Sequence, residues 1–462
     1  MSFGFGRDSG DDSGEERPGD QPPANPDPFA ALFGAGVGGN PADIGAAFQR
    51  LGQLLSWQGG PVNWDLARDV ARQAVAASGD RSVSGAERTE VIDAMRLAEL
   101  WLDEATTFPA GASSASAWSR AEWVEATLPV WKDLVEPVAA KAVESMGSML
   151  GGDSGAAAGL GLPQEQLQQM QQLLGAAGPM QQMMKSIGGA MFGNQIGQAL
   201  GSLATEVLGS TDVGIPLSSG AKAALLPQNV AAFGEGLGVS VDEVRLYLAL
   251  REAAHHRLFA HVPWLRAHLI DTVGAYARGI SVDTSRLEEM VGRIDPTNPE
   301  AIQEALTGGL FEPEDTPQQK AALARLETAL ALVEGWVDEV VDAAATPHLP
   351  AASALRETVR RRRASGGPAE ATFASLVGLE LRPRRLREAA ALWRGLLDAR
   401  GLEGRDAVWG HPDLLPTGDD LDDPAAFAAG SSSAPLDLSG LQDTEAPVEP
   451  DNDHGSPGAD DK

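Results

Sequence analysis

The sequence contains no cysteine and has few aromatic residues. The lack of cysteine excludes disulfide bonds, thiolate zinc sites and cysteine nucleophiles. No stretch of about 18 unbroken apolar residues is present, so no transmembrane helix is predicted. The first residues also lack a basic segment followed by an apolar core, which is the pattern of a secretory signal. We therefore expect a cytoplasmic protein without a membrane span, and the 43% apolar fraction is sufficient for a hydrophobic core.

Acidic residues outnumber basic ones. The chain has 65 aspartates and glutamates and 35 lysines and arginines, which gives a net charge of −30. Residues 1–30 carry −5 and residues 417–462 carry −11, so more than half of the excess lies near the two ends. The remaining body is still acidic. Nucleic-acid binding is not expected, because it depends on neutralising phosphates.

The composition divides the chain into five segments. Residues 1–40 and 417–462 are predicted to be disordered, acidic tails. Between them we expect an all-α, multi-helix body. It consists of an N-terminal helical region over residues 41–150, a Gly/Ala linker over residues 151–163 and a central helical domain over residues 164–416.

Glycine recurs at four-residue spacing early in the central domain, at Gly189, Gly193, Gly197 and Gly201. In a membrane this spacing favours helix dimerisation. Polar neighbours such as Lys185 and Glu206 exclude that interpretation. We predict instead a buried helix with a flat glycine stripe, against which another helix packs closely.

Four of the seven histidines lie in one stretch, Ser240–Leu269. Ser240 followed three residues later by Glu243 indicates the start of a helix, and Pro263 indicates its end. The sequence therefore predicts a helix of about six turns.

Charged and polar residues lie within the apolar part of this helix. Arg251 and His255, four residues apart, fall in the middle of the apolar face, and Glu252 lies at its margin. The other members of that face are Val244, Tyr247, Leu248, Leu258 and Val262. Burial makes such groups costly unless they are paired.

Residues 251–255 read R-E-x-x-H, which is the zinc motif H-E-x-x-H with its first histidine replaced. In the full motif two imidazoles bind zinc and the glutamate activates the bound water. Here Glu252 holds the base position and His255 the second ligand position. Arg251 cannot replace the first ligand, because guanidinium has no lone pair to offer.

A second helix is predicted after Thr316-Pro317, an N-cap followed by proline at the first helical position. Glu334 lies within its apolar stripe, where a carboxylate requires a cation, a cluster of donors or a metal. The stripe consists of Leu323, Leu326, Leu330, Val333, Val337 and Val341.

Two arginine clusters follow, at residues 360–363 and 382–387. Phosphate or nucleic-acid binding is one interpretation, and pairing with the acidic body is the other. No aromatic residues are interleaved for base stacking, which favours the second interpretation.

Several segments together carry a resemblance to a known family. They are Gly193, Gly197 and Gly201 running into residues 212–217, then residues 251–259, 262–266, 334–338 and 409–415. They resemble a zincin-like metallopeptidase family of actinobacteria and their relatives, whose members carry hydrolase or zinc-dependent metalloprotease labels. One branch is associated with genes for deazaflavin-coenzyme biosynthesis. The resemblance covers roughly residues 165–416 and implies a mainly helical protein with a zincin-type helix pair.

The resemblance also implies roles for individual residues. Where the family motif is intact, histidine stands at the position of Arg251. The resemblance makes Glu252 the general base, and His255 and Glu334 ligands of a zinc ion. Zinc catalysis normally uses three protein ligands and a water, so the departure at Arg251 leaves the set incomplete.

His261 and His256 are further candidate ligands. The spacing from His255 to His261 matches the motif H-E-x-x-H-x-x-G-x-x-H, whose glycine breaks the helix. Leu258 occupies the glycine position, and an unbroken helix would place His261 about 120° from His255. His256 points away from His255 on similar grounds.

Two functional hypotheses follow. The first is a zinc-dependent metallopeptidase-like hydrolase that acts on a peptide or protein substrate, with Glu252 activating water near His255 and Glu334. The second is a catalytically inactive zincin-fold scaffold or interaction protein, in which Arg251 fills the space of the missing ligand and pairs with Glu252 or Glu334. The second hypothesis predicts a contact of roughly 2.7–3.2 Å between Arg251 and a carboxylate.

Overall fold

The structure is a computed structural model, and it describes residues 59–151, 178–218, 220–278, 316–365, 372 and 385–430. The predicted tail over residues 1–40 lies outside these ranges. So do all of the predicted linker except Gly151, and residues 431–462 of the predicted C-terminal tail.

Helices dominate the described residues, and two short strands accompany them. In chain order the helices are α1 (Trp64–Ala77), α2 (Gly85–Leu102), α3 (Arg120–Gly151), α4 (Gly178–Ala204), α5 (Pro227–Gly234), α6 (Val241–His261), α7 (Pro263–Arg278), α8 (Pro317–Ala345), α9 (Ala352–Ala364), α10 (Leu386–Asp406), α11 (Gly418–Asp422) and α12 (Pro424–Ala428). The strands are β1 (Ser114–Ala117) and β2 (Lys222–Leu225). The predicted all-α class is confirmed.

The two strands bring a loop segment to the central helix. β1 and β2 pair in parallel, with Ser114 opposite Lys222 and Ala117 opposite Leu225. On the other edge of β2, residues 208–210 run antiparallel to it, and the Ser210 N–H donates to the Ala224 carbonyl at 3.0 Å. Residues 208–211 are thereby fixed beside α6.

Helix α6 is the centre of the fold. It has Ser240 as its N-cap, and the Glu243 N–H donates to the Ser240 hydroxyl at 3.2 Å. It ends at His261, two residues before Pro263, as predicted. The sequence predicted one apolar face, but every residue from Tyr247 to Leu258 is buried. The helix packs against α2, α5, α7, α8, α9 and β2, so all of its sides face protein.

Helix α8 lies beside α6 and is buried without interruption over residues 329–341. Its N-terminus has the predicted chemistry, since the Thr316 side chain accepts from the Gln319 N–H and Pro317 occupies the first turn. The helix α9 follows a short turn and returns along α8.

The folded chain continues past residue 416, where the sequence predicted that the C-terminal tail begins. Helices α11 and α12 occupy the start of that segment and pack against α10. Leu421 is buried, and Thr417 and Asp423 cap the two helices. Arg385 and Arg400 donate to backbone carbonyls of this segment. The acidic composition of residues 417–462 did not indicate that the start of this segment packs on the body through apolar residues.

Within the described part of the chain, no helix is long and apolar enough to cross a membrane.

The predicted glycine stripe is confirmed as a helix-packing surface. Helix α1 lies directly against α4, and a Cβ added at Gly193, Gly197 or Gly201 would overlap it. At Gly197 that atom would lie 2.6 Å from the Ala67 carbonyl oxygen and 2.7 Å from Val70 Cβ. Backbone cannot yield as a flexible side chain can, so glycine is required for this close approach.

The substitution Gly197→Ala tests this packing. Overpacking of this kind typically costs about 1–3 kcal/mol, which exceeds the gain in helix propensity of about 1 kcal/mol. Gly188→Ala is the matched control, because a Cβ at Gly188 meets nothing within 4 Å. Chemical denaturation should show that G197A is less stable than the wild type and that G188A is equal or more stable. Equal stability of the two variants would contradict the packing argument.

Candidate functional site

Two pairs of polar residues, each spaced i and i+4 on α6, point to different neighbours. Arg251 and His255 face Glu334 on α8. Glu252 and His256 face the segment Gly209–Thr211. All four side chains are buried, so each needs a partner within the protein.

The first pair forms a cluster around Glu334, which is 1% exposed. The Arg251 guanidinium donates from Nη2 to Glu334 Oε2 at 2.6 Å. His255 Nε2 lies 3.2 Å from Oε1, and Arg363 Nη2 from the end of α9 lies 3.0 Å from the same oxygen. Gly214 packs closely here, since a Cβ added to it would lie 3.2 Å from Oε1. The Glu334 carboxylate on α8 therefore contacts side chains from two other helices, α6 and α9. We name Glu334, Arg251, His255 and Arg363 the Glu334 cluster.

Glu334 is ionised in this setting. Burial alone raises the pKa of a carboxyl group, but Arg363, His255 and Arg251 outweigh burial and hold the pKa of Glu334 well below its usual range. The sequence position of Glu334 indicated that its carboxylate needs a partner, and cations supply it.

The contacts of His255 determine what its ring can do. Its Nδ1 lies 2.8 Å from the Arg251 carbonyl oxygen, and its Nε2 faces the Glu334 carboxylate. Each ring nitrogen therefore has an oxygen neighbour within hydrogen-bonding distance.

Glu252 is held by a set of donors that occupies both of its carboxylate oxygens. It accepts from Thr211 Oγ1 at 2.6 Å, from the backbone N–H groups of Ser210 and Thr211 at 3.1 Å each, and from the N–H of Ala224 at 3.2 Å. The Ser210 hydroxyl donates to it as well. A Cβ at Gly209 would lie 2.6 Å from its Oε2, so only glycine leaves room for this carboxylate.

The same contacts set the ionisation of Glu252. Burial opposes the charge, but the hydrogen bond and charge of His256 and the hydroxyls of Ser210 and Thr211 outweigh it and lower the pKa to about 2. A carboxylate with this pKa and no free lone pair is a weak base. The structure therefore places Glu252 as an anchor between α6, β2 and residues 209–211.

The contact between Ser210 and His256 does not have the geometry of a serine hydrolase. Ser210 Oγ lies 3.1 Å from His256 Nε2, and Glu252 Oε1 lies 3.3 Å from the same nitrogen. In a catalytic triad the acid contacts the opposite ring nitrogen from the serine. His256, a candidate metal ligand in the sequence, lies against Ser210 and Glu252.

His261 lies away from the Glu334 cluster. Its Nε2 is 3.1 Å from the Pro109 carbonyl oxygen, and its ring stacks on Phe108 at a centroid distance of 5.9 Å. The helix α6 runs unbroken through Leu258, so His261 points to a different side from His255.

A small cleft of about 20 Å³ opens beside the Glu334 cluster. Two guanidinium groups, of Arg251 and Arg363, and two carboxylates, of Asp212 and Glu252, line it. The other lining residues are Gly209, Thr211, Leu225, Leu248 and His255. The cleft thus has charged groups of both signs in its wall and room for little more than a water molecule.

A comparison with known proteins identifies the family. The model of the zincin-like metallopeptidase family matches residues 62–428. The chain belongs to the zincin-like metallopeptidase family. The match is wider than the resemblance over residues 165–416, because it begins near α1 and includes the helices that precede the glycine stripe.

A solved structure shares the fold of this zincin-like protein. It is a crystal structure described as that of "a putative hydrolase with a novel fold" from Chloroflexus aurantiacus. The TM-score is 0.54 at 20% identity, and the match covers 80% of this chain and 98% of that chain. No curated protein matches the sequence.

Zinc, which this family implies, does not fit the Glu334 cluster as the structure arranges it. Among the described residues, no three His, Asp or Glu side chains converge as metal ligands would. The guanidinium groups of Arg251 and Arg363 lie on the carboxylate that would serve as a ligand. A divalent cation would meet repulsion from these positive groups.

The sequence did not identify Arg363 or residues 209–211 as parts of the site. Arg363 belongs to the arginine cluster at residues 360–363, and the described members of both clusters pair with acids, as the second interpretation held. A Gly-Ser-Thr sequence has no periodic pattern to mark it. Its donors to Glu252 include backbone N–H groups, which every residue except proline has.

The substitution Glu252→Gln tests the role of Glu252 as an anchor. The pKa of the folded state is lowered from 4.5 to about 2. The ionised form therefore contributes stability above the unfolded pKa, and this contribution is lost as the pH falls through 4.5 towards about 2. At pH 7 the variant should lose about 3 kcal/mol in free energy of unfolding.

Denaturant unfolding at several pH values measures this effect. The stability difference between wild type and E252Q should be largest at neutral pH and should narrow in acid. The matched control is Glu104→Gln, a change at an exposed position. E104Q should behave as wild type at every pH. An E252Q protein as stable as the wild type at pH 7 would show that the anchor is unimportant.

Proposed function

We propose that this zincin-like protein is a scaffold or interaction protein of the zincin fold that does not hydrolyse peptide bonds. The observation that carries the proposal is the 2.6 Å hydrogen bond from Arg251 to Glu334. At the position where an H-E-x-x-H motif has its first metal ligand, this chain has a cation already paired with the downstream carboxylate.

The energetics of burial support this function. Arg251 is 5% exposed and Glu334 is 1% exposed, so neither group can exchange its partner for water. Breaking a buried pair by removing one member typically costs about 3–5 kcal/mol. A metal ion that replaced Arg251 at Glu334 would have to displace the guanidinium and leave it buried and unpaired.

Zinc-dependent hydrolysis of a peptide or amide bond is the second candidate function. Family membership and the hydrolase description of the solved relative favour it. In this alternative His255 and Glu334 would be metal ligands and Glu252 the base. Arg251 and Arg363 would have to leave Glu334, and Glu252 would have to give up its hydrogen bonds.

The metal content of the purified protein distinguishes the two candidates. If the proposal holds, protein prepared without chelator should contain less than about 0.2 zinc per chain. A functional zinc site would retain its metal through purification, so a low zinc content counts against such a site. The protein should also fail to hydrolyse a fluorescent casein substrate. Stoichiometric zinc that is lost in a Glu334→Gln variant would overturn the proposal in favour of the hydrolase.

The substitution Arg251→His adds a direct test of the site. It restores the missing imidazole and completes a set of three protein ligands with His255 and Glu334, so we expect the variant to bind about one zinc per chain. Arg245→His is the control, because it adds a histidine to α6 next to Glu90 and Asp242, away from Glu334. Equal zinc in both variants would mean that the metal binds nonspecifically.

A further inference from the structure

The arginines and the acids that line the cleft beside the Glu334 cluster balance in formal charge. Arg251 and Arg363 stand against Asp212 and Glu252. A cation in the cleft would be repelled by the arginines and an anion by the acids, so neither ion is favoured by the charges of the wall. The wall favours a small neutral molecule that both donates and accepts hydrogen bonds.

The volume of the cleft limits the size of such a molecule. It is about 20 Å³. A cavity needs at least about 10–15 Å³ to hold one water molecule. The cleft therefore admits one water and has no room for an organic ligand.

Arg363 supplies an unused donor at this cleft. Its Nη2 lies 3.0 Å from Glu334 Oε1, and its side chain is 10% exposed. Its Nε is buried without a hydrogen-bond acceptor among the described residues. A buried N–H without an acceptor is costly in a folded protein, so this group requires an explanation.

Asp212 and Thr211 have acceptor capacity beside the same cleft. Asp212 Oδ1 lies 3.6 Å from Arg363 Nη2, which is too long for a direct hydrogen bond, and the bond that it accepts from Arg362 is also long, at 3.3 Å. Polar groups at such separations are often joined through a water. Thr211 Oγ1 donates its proton to Glu252 at 2.6 Å, which leaves lone pairs of the hydroxyl oxygen to accept another bond.

We propose that the cleft is the binding site of one ordered water molecule. The water accepts a hydrogen bond from Arg363 Nε and donates to Asp212 and to Thr211 Oγ1, and three bonds are the number that a buried water typically makes. It links the end of α9 to residues 211–212 beside α6. This inference rests on the proposed function, because a zinc ion at Glu334 would require both Arg251 and Arg363 to move.

A high-resolution crystal structure of the full chain tests the site. We expect one solvent peak in the cleft, within about 2.7–3.2 Å of Arg363 Nε, of an Asp212 carboxylate oxygen and of Thr211 Oγ1. An empty cleft, or a peak that does not contact Arg363, would overturn the inference. A crystal soaked in sodium bromide should show no anomalous signal at this peak, and a signal there would identify a halide site instead of a water site.

The substitution Arg363→Met tests the assigned donor. Methionine keeps much of the aliphatic stem and has no N–H, so the peak should be lost from the cleft. Arg361→Met is the matched control, since Arg361 lies on the same helix, is 77% exposed and pairs with Glu357, and R361M should keep the peak. An unchanged water in R363M would contradict the role of Arg363 Nε.

Metal content separates failure of this inference from failure of the proposed function. A zinc-free protein whose cleft is empty refutes only the water site, whereas stoichiometric zinc refutes the function itself. The wild-type crystal structure decides the inference even where R363M does not fold.

Discussion

The structure depends on the pairing of charges that α6 carries into the protein interior. Arg251 reaches Glu334 on α8, and Glu252 reaches residues 209–211 and β2. Arg257, 1% exposed, reaches Glu99 at 2.7 Å and Asp103 at 2.8 Å near the end of α2. Unpaired charges at this depth would be prohibitive, so each one fixes the position of a neighbouring element. The central helix is thereby tied to segments both before and after it in the chain.

Buried ion pairs contribute more to the choice of arrangement than to net stability. The cost of removing charges from water offsets much of their attraction, so an apolar replacement is often equally stable. A pair such as Arg251 and Glu334 nevertheless excludes alternative packings of α6 on α8, because sliding either helix by one turn would leave both groups unpaired. In this protein the ion pairs set the register of the helices, and the apolar contacts around Tyr247 and Leu258 supply most of the burial.

The sequence predicted those features that depend on local chemistry. The starts of α6 and α8 follow from Ser240 and Thr316, and the glycine stripe follows from the spacing of its residues. The position of Glu334 within an apolar stripe indicated that it needs a partner, and Arg251 was a predicted partner. The contribution of Arg363 depends on how α9 returns along α8, which no local pattern encodes. Likewise, the donors to Glu252 come partly from backbone N–H groups, which have no sequence signature.

On α6, the residues at the metal-ligand positions of the motif and the residue at its base position contact different partners. In an H-E-x-x-H enzyme the glutamate must act on water held by the same metal that the histidines bind. Here Arg251 and His255 face Glu334, whereas the carboxylate of Glu252 is engaged by Ser210, Thr211 and the backbone of β2. Restoring an imidazole at position 251 would complete a ligand set without freeing the base. A metal-loaded variant would therefore still lack a proton acceptor beside the metal, so a gain of zinc without a gain of hydrolysis is the outcome that this arrangement of α6 favours.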